Sequence, residues 1–408
     1  MPPARPLPDD LIPGILLRLP PDDPAGIIRA SAVCKTWHGI LTDPSFSGRY
    51  RSLHPSSAPP VLGFLHNQSN LHVARFVPTT SFRPLAGVDH RNRHAVDCRH
   101  GRVVFFDYGE LSSFVVWDPI SGDVKHKIPD VPDVLTQPAV VSASAAGDGT
   151  GACDHRGCGG GHFVVAFAGV ENIYEDDYYD AHACYYASDT GEWSVHINIH
   201  LDHGKYHLLG RAAALVGGAL YFVGESGFLL RYRYGLLRRL GRRSIFSAGV
   251  READVLSVIE PPALGKKRLR DVIVMAAEGG GVGLASMSRN RRVTLWAREE
   301  TTTTTSGPAG VGDNGGQWMK SRVIDLKKLV PPGSDPKRGP CLSCVTEDGG
   351  VIYVGSEDGV FAVEVKSSQV KKVYETGKVD ILPFASFYTE SLLVKLASGK
   401  LQAPVGNR

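Results

Sequence analysis

The chain has 408 residues, a formal net charge of +3 and a hydrophobic fraction of 42%, which is ordinary for a globular protein. So slight a charge gives no argument for nucleic acid, and no run of about eighteen apolar residues suggests a membrane span. Seven unevenly spaced cysteines do not form a secreted disulfide framework, and Met1 to Pro6 lacks the apolar core of a signal peptide, so a reduced cytoplasmic or nuclear setting is expected.

The first elements are helical. Leu7-Pro8-Asp9-Asp10-Leu11 leads into Ile12, Ile15, Leu16 and Leu19, whose i, i+3, i+4, i+7 spacing paints one apolar stripe along a short helix. Val33, Trp37, Ile40 and Leu41 repeat the pattern at i, i+4, i+7 and i+8. Asp23-Pro24 and Asp43-Pro44 each place a capping carboxylate before a proline at the first helical position. Gly14 weakens the first helix, by on the order of 1 kcal/mol against alanine. Two or three short helices in so few residues carry more apolar surface than a unit this small can hide. Such a unit needs a partner.

After Ser52 the character changes. Pro55 to Pro60 reads as a linker, and beyond it short apolar runs alternate with glycine and Asp-Gly turns. The strongest runs begin at Val61, Val103, Phe163, Ala219, Val272 and Val351, and most spacings match a four-stranded propeller blade with generous loops. Asp118-Pro119-Ile120-Ser121-Gly122 and Ser188-Asp189-Thr190-Gly191 are the clearest recurring turns. Phe361, Val363 and Val365 alternate with Ala362 and Glu364, as a half-buried strand requires. The expected architecture is a small all-α module at 5–52, a linker at 53–61, and an all-β domain at 62–400, an irregular propeller of about six blades. An open β-sandwich is the alternative. The stretches 143–161 and 301–316, poor in apolar residues, are expected to be disordered loops.

Candidate chemistry is sparse. Cys341-x-x-Cys344 has metal-ligand spacing but no second pair nearby, and in a strand its thiols should point to opposite faces as core groups. Cys153, Asp154, His155 and Cys158 fall in a glycine-rich loop with no evident fourth ligand. His196 and His200 alternate with Ile197 and Ile199, as on a solvated strand face; His203 and His207 complete that cluster. Gly279 to Gly283 lies between strands, where it reads as a turn and not a phosphate cradle. No nucleophile elbow, phosphate loop or zinc-protease motif occurs, so no catalytic residue, metal or cofactor is expected. Two charged patches remain. Arg231, Arg233, Arg238 and Arg239, with Arg242 and Arg243, would suit an acidic or phosphorylated partner. Glu171, Glu175, Asp176, Asp177 and Asp180 would suit a basic one.

The N-terminal string resembles an F-box. Leu7-Pro8, Asp9-Asp10, Ile15 to Pro20, Val33-Cys34-Lys35-Thr36-Trp37 and Asp43-Pro44-Ser45-Phe46 all match that family in order. Val116-Trp117-Asp118-Pro119 and Ala214 to Phe222 resemble the kelch-like propellers of plant, grass-type F-box proteins, although full kelch signatures are missing. The resemblance implies a non-catalytic substrate adaptor of an SCF-type ubiquitin ligase. Its helices would dock on a Skp-type linker protein, and through it a cullin, by way of Leu7, Pro8, Leu11, Ile15, Leu16, Val33, Cys34 and Trp37. The β-domain would then present a protein substrate. The alternatives are a propeller that binds a small molecule or glycan with the F-box as a handle, and a scaffold outside any ligase.

Overall fold

The computed structural model describes residues 8–386, apart from 9, 21–22, 55–58, 69–70, 85–86, 110–112, 121–124, 143–161, 175–177, 202–205, 226, 241–248, 265–270, 300–315, 332–338 and 376–379. Leu7, the Cys153–Cys158 cluster, His203, Arg242, Arg243 and nearly all of both expected loops therefore lie outside the described residues.

Four helices come first: α1 (Ile12–Leu16), α2 (Pro24–Ser31), α3 (Lys35–Thr42) and α4 (Pro44–Leu53). Three of the four start at a side-chain cap, whereas α1 has none and begins beside Pro13. The Asp23 carboxylate accepts from Gly26 N at 3.2 Å and pairs with Arg29 at 3.1 Å, opening α2. Cys34 sulfur takes the Trp37 amide at 3.5 Å and opens α3. Asp43 accepts from Ser45 N at 2.7 Å, and its hydrogen bonds with Ser45 hold its carboxyl below the ordinary value.

The apolar stripe expected along α1 divides. Ile12, Leu16 and Leu17 are buried while Ile15, about 100° from Leu16 around the helix, faces out. Tyr50 OH donates to the Leu19 carbonyl at 2.7 Å, and a His54 ring nitrogen lies 3.0 Å from the Leu17 carbonyl, so α4 is tied to the residues that follow α1.

Six antiparallel sheets follow. Blade 2 is Arg93–Arg99, Arg102–Asp107, Ser113–Trp117 and Lys125–Ile128; blade 3 begins with Gln137–Ser142, Phe163–Tyr174 and Tyr178–Ala187. Blade 4 spans Ala214–Val216 to Leu256–Ile259, blade 5 Val272–Ala276 to Gln317–Asp325, and blade 6 Cys341–Val345 to Val370–Tyr374. Blade 1 is made from both ends of the domain. Asp380–Ala385 pairs with Val61–Gln68 through Phe64↔Pro383, Leu65↔Leu382 and His66↔Ile381, then Val73–Pro78 and Asp89–Arg91 complete the sheet. Joining the chain's last described strand to its first within one sheet closes the ring. The domain is a six-bladed β-propeller.

Aromatic wedges hold neighbouring blades together. Phe64 meets Tyr353 edge-on at 5.1 Å between blades 1 and 6, and Phe114 meets Phe167 at 5.2 Å between blades 2 and 3. Near the axis, the buried Arg99 forks onto Asp97 at 3.0 Å and also donates to the Ala213 carbonyl of blade 4. Removing one partner of such a buried pair typically costs about 3–5 kcal/mol. Gly349, at φ +71°, turns blade 6 so tightly against blade 5 that a Cβ would sit 2.3 Å from the Ala276 carbonyl.

Candidate functional site

Two surfaces stand out: a bare apolar flank on the helices and a cavity on the propeller axis.

The helices bury one side in their own chain. Ile12, Leu16, Leu17, Ile27, Leu41, Phe46 and Tyr50 share one hydrophobic cluster with Leu62, Phe76, Phe82 and Phe384 of the first blade and its loop. Ser81 Oγ of that loop donates to the Asp23 carboxylate, so the module is pinned to blade 1 by a polar contact as well. The other side stays open. Leu11 is 52% exposed, Ile15 39% and Val33 60%, and Pro8 and Cys34 are exposed too. Trp37 and Ile40 are half-buried against the cluster. Helices α1 and α3 touch; Leu11 and Ile15 lie at the first, and Val33 and Cys34 lead into the second. Leu16 differs from the other expected docking residues: it is 1% exposed and belongs to the internal core.

The arginine patch does not hold together as one surface. Arg231 is buried in a strand covered on both faces and donates to Ser257 Oγ at 3.0 Å. Residues Tyr234–Leu240 form a helix, which separates the remaining arginines. Arg238 reaches Asp189 at 3.7 Å, Arg233 donates to the Asp254 carbonyl at 3.4 Å, and Arg239 is exposed. Among the histidines, Ile197 and Ile199 face the core while His200 is exposed and lies 2.8 Å from Asp180. His196 contacts His182 at 3.1 Å; burial, the main cause, and then the neighbouring imidazole hold His196 below its ordinary pKa. Among the described residues no group of three or more His, Cys, Asp or Glu is placed to hold a metal ion.

The axial cavity has a volume of about 460 Å³ and is walled by the innermost strands of five blades. Cys98, Cys341 and Cys344 all border it. The expectation that the last two point to opposite faces fails because the pairing register shifts between Leu342 and Cys344. Burial pushes the Cys98 and Cys344 thiols well up, so they form neutral walls and not nucleophiles. The charged residues Arg211 and Asp380 were not among the expected site residues, although a lone arginine opening Arg211-Ala212-Ala213-Ala214 is a visible signal in the sequence.

Residues 6–47 match the F-box domain family. No curated protein matches the chain. Among solved structures the chain is similar to the β-propeller domain of Cps50 (Swd1) from Myceliophteria thermophila, at 10% identity and TM-score 0.34, covering 77% of this chain and 85% of that one. It is also similar to Hsv2 of Kluyvelomyces marxianus, at 11% identity and TM-score 0.27, covering 79% and 98%. The propeller assignment rests on this chain's own strand pairing. The chain thus carries an N-terminal F-box followed by a six-bladed propeller.

Proposed function

We propose that this chain is the substrate-recognition adaptor of an SCF-type ubiquitin ligase, working in the cytoplasm or nucleus. The observation that carries the reading is the exposed flank of Leu11, Ile15 and Val33 on a module whose opposite side is already packed on the propeller. Apolar surface of this kind, on helices that match the F-box, fits a Skp-type linker protein, which in turn brings a cullin. Leu7, Pro8, Leu11, Ile15, Val33, Cys34 and Trp37 form the proposed contact set, and Leu16 supports it from inside. The propeller, of kelch-like and plant type on this reading, presents the substrate, with Arg233 and Arg239 the exposed arginines of the expected patch among the described residues. Such a chain needs no catalytic group of its own. It acts by raising the local concentration of substrate near the transferring enzyme. The test is co-purification from cells with the proteasome blocked. The linker protein and cullin are expected with the wild-type chain and lost with a Leu11→Asp, Ile15→Asp variant; equal recovery from both overturns the proposal.

A further inference from the structure

Each blade ends in an outer strand, and among the described residues five of the six keep that strand short or buried. Asp89–Arg91 has 3 residues and Lys125–Ile128 has 4. Blade 3 ends in Glu192–Trp193 and Ile197–Leu201, of 2 and 5 residues, and blade 6 in Val370–Tyr374, of 5. Leu256–Ile259 of blade 4 is buried throughout. Blade 5 differs. Its outer strand, Gln317–Asp325, runs for 9 residues and pairs with Arg292–Glu299 on one side alone. The far edge has no described partner, so alternate N–H and C=O groups stand open along about 30 Å. Met319 is 45% exposed and Val323 54%, so this edge is apolar as well as long.

The charges around the edge are mostly positive. Lys320 lies over the Trp296 ring at 5.4 Å, and neither it nor exposed Lys328 and Lys366 forms an ion pair with a described residue. Arg322 fastens the strand to blade 6, donating to the Val365 and Lys366 carbonyls at 2.7 Å and reaching Glu278 at 3.5 Å. That contact sets Lys366 beside the strand. Of the described carboxylates on this hairpin, Asp325 is engaged by Arg292 at 3.2 Å and by the Lys327 amide at 3.0 Å. Only Glu299 remains, at the end opposite Gln317.

Lysines on an edge strand ordinarily keep a sheet from pairing with a copy of itself. Here they also set the sign of the partner, because like charges facing each other across two strands are destabilising and opposite charges attract. We propose that blade 5 takes up an extended acidic peptide segment as a fifth strand. Its backbone pairs with Gln317–Asp325, its carboxylates lie among Lys320, Lys328 and Lys366, and its apolar side chains cover Met319 and Val323. The open backbone edge favours a polypeptide over nucleic acid, which would use the charge alone. Assigning the segment to a ubiquitination substrate rests on the adaptor reading; the binding itself does not.

The probe is a fluorescein-labelled peptide alternating glutamate with valine, titrated into the full chain and read by fluorescence anisotropy. Saturable binding is expected. It should weaken at least about tenfold when lysine replaces glutamate, when one of the two alternating sets of peptide amides is N-methylated, and in a Lys320→Glu, Lys366→Glu protein. The proposal is overturned if no binding saturates at millimolar peptide, or if both N-methylated sets bind as well as the parent. It is equally overturned if oligothymidine displaces the probe as well as unlabelled peptide does, or if the chain forms a dimer that the peptide dissolves. The peptide series is read on the wild-type protein, so it stands even if the charge variant fails to fold. Absent peptide binding with the linker protein still recovered sinks this proposal alone and leaves the docking flank intact.

Discussion

Replacing Phe384 by alanine tests how the ring is closed. Phe384 is fully buried on the closing strand, with ring centroids 5.7 Å from Phe76 and 5.9 Å from Phe82. Deleting a buried phenyl ring removes its transfer free energy and leaves a cavity, together about 3–5 kcal/mol. The site cannot collapse easily, because Phe76 and Phe82 are themselves fixed between blade 1 and the helices. Against a total stability of about 5–15 kcal/mol, that loss is a large share. Urea denaturation followed by tryptophan fluorescence measures it, with exposed Ile173→Ala as a control expected to stay within about 0.5 kcal/mol. Because the helices share the Phe384 cluster, proteolysis of the 54–60 connection should quicken in the same variant. A loss below about 1 kcal/mol would refute the reasoning.

Leu16→Ala should cost about 2–5 kcal/mol, whereas Ile15→Ala one position earlier should leave stability nearly unchanged, as thermal denaturation of the two variants will report. Burial, the main cause, holds His66, His126 and His196 below their ordinary value of 6.5, so the unfolded chain binds protons that the native chain refuses. Stability from these groups is present above about pH 6.5 and is lost as pH falls through their native values; melting temperatures from pH 7.5 to 5 should decline, less so in His126→Phe. Exposed Cys34 should react with iodoacetamide in the native protein while Cys98, Cys344 and Cys184, its thiol pushed up to about 12, stay protected, which peptide mass spectrometry reads directly.

Local chemistry was legible in this sequence wherever neighbours in the chain decide the outcome. Asp23 and Asp43 cap helices because a carboxylate before Pro needs only the next few residues. Ile197 and Ile199 go inward because strand alternation is set within a few residues. The six runs from Val61 to Val351 each fall in a different sheet, so the period counted the blades. What escaped depends on distant pairing. The Ile381-Leu382-Pro383-Phe384 run closes blade 1 only because Val61–Gln68 lies beside it, some three hundred residues away in sequence. Arg231 looked like part of a surface patch until the strand Leu229–Tyr232 placed it opposite Ser257. Leu16 and Ile15 both belong to the apolar stripe, and packing against blade 1 decides which one the core takes. Arg211 and Asp380 border one cavity because the ring is closed, and no spacing in the chain encodes that.

The central claim is that the open flank of α1 and α3 is covered by a second polypeptide. Calorimetric titration of the full chain with a Skp-type linker protein, comparing wild type with Ile15→Asp, Val33→Asp, tests it most directly. The account predicts a one-to-one complex weakened about thirtyfold or more, roughly 2 kcal/mol, with the variant's melting temperature unchanged. Equal affinity for the two proteins, or no complex with either, would contradict it.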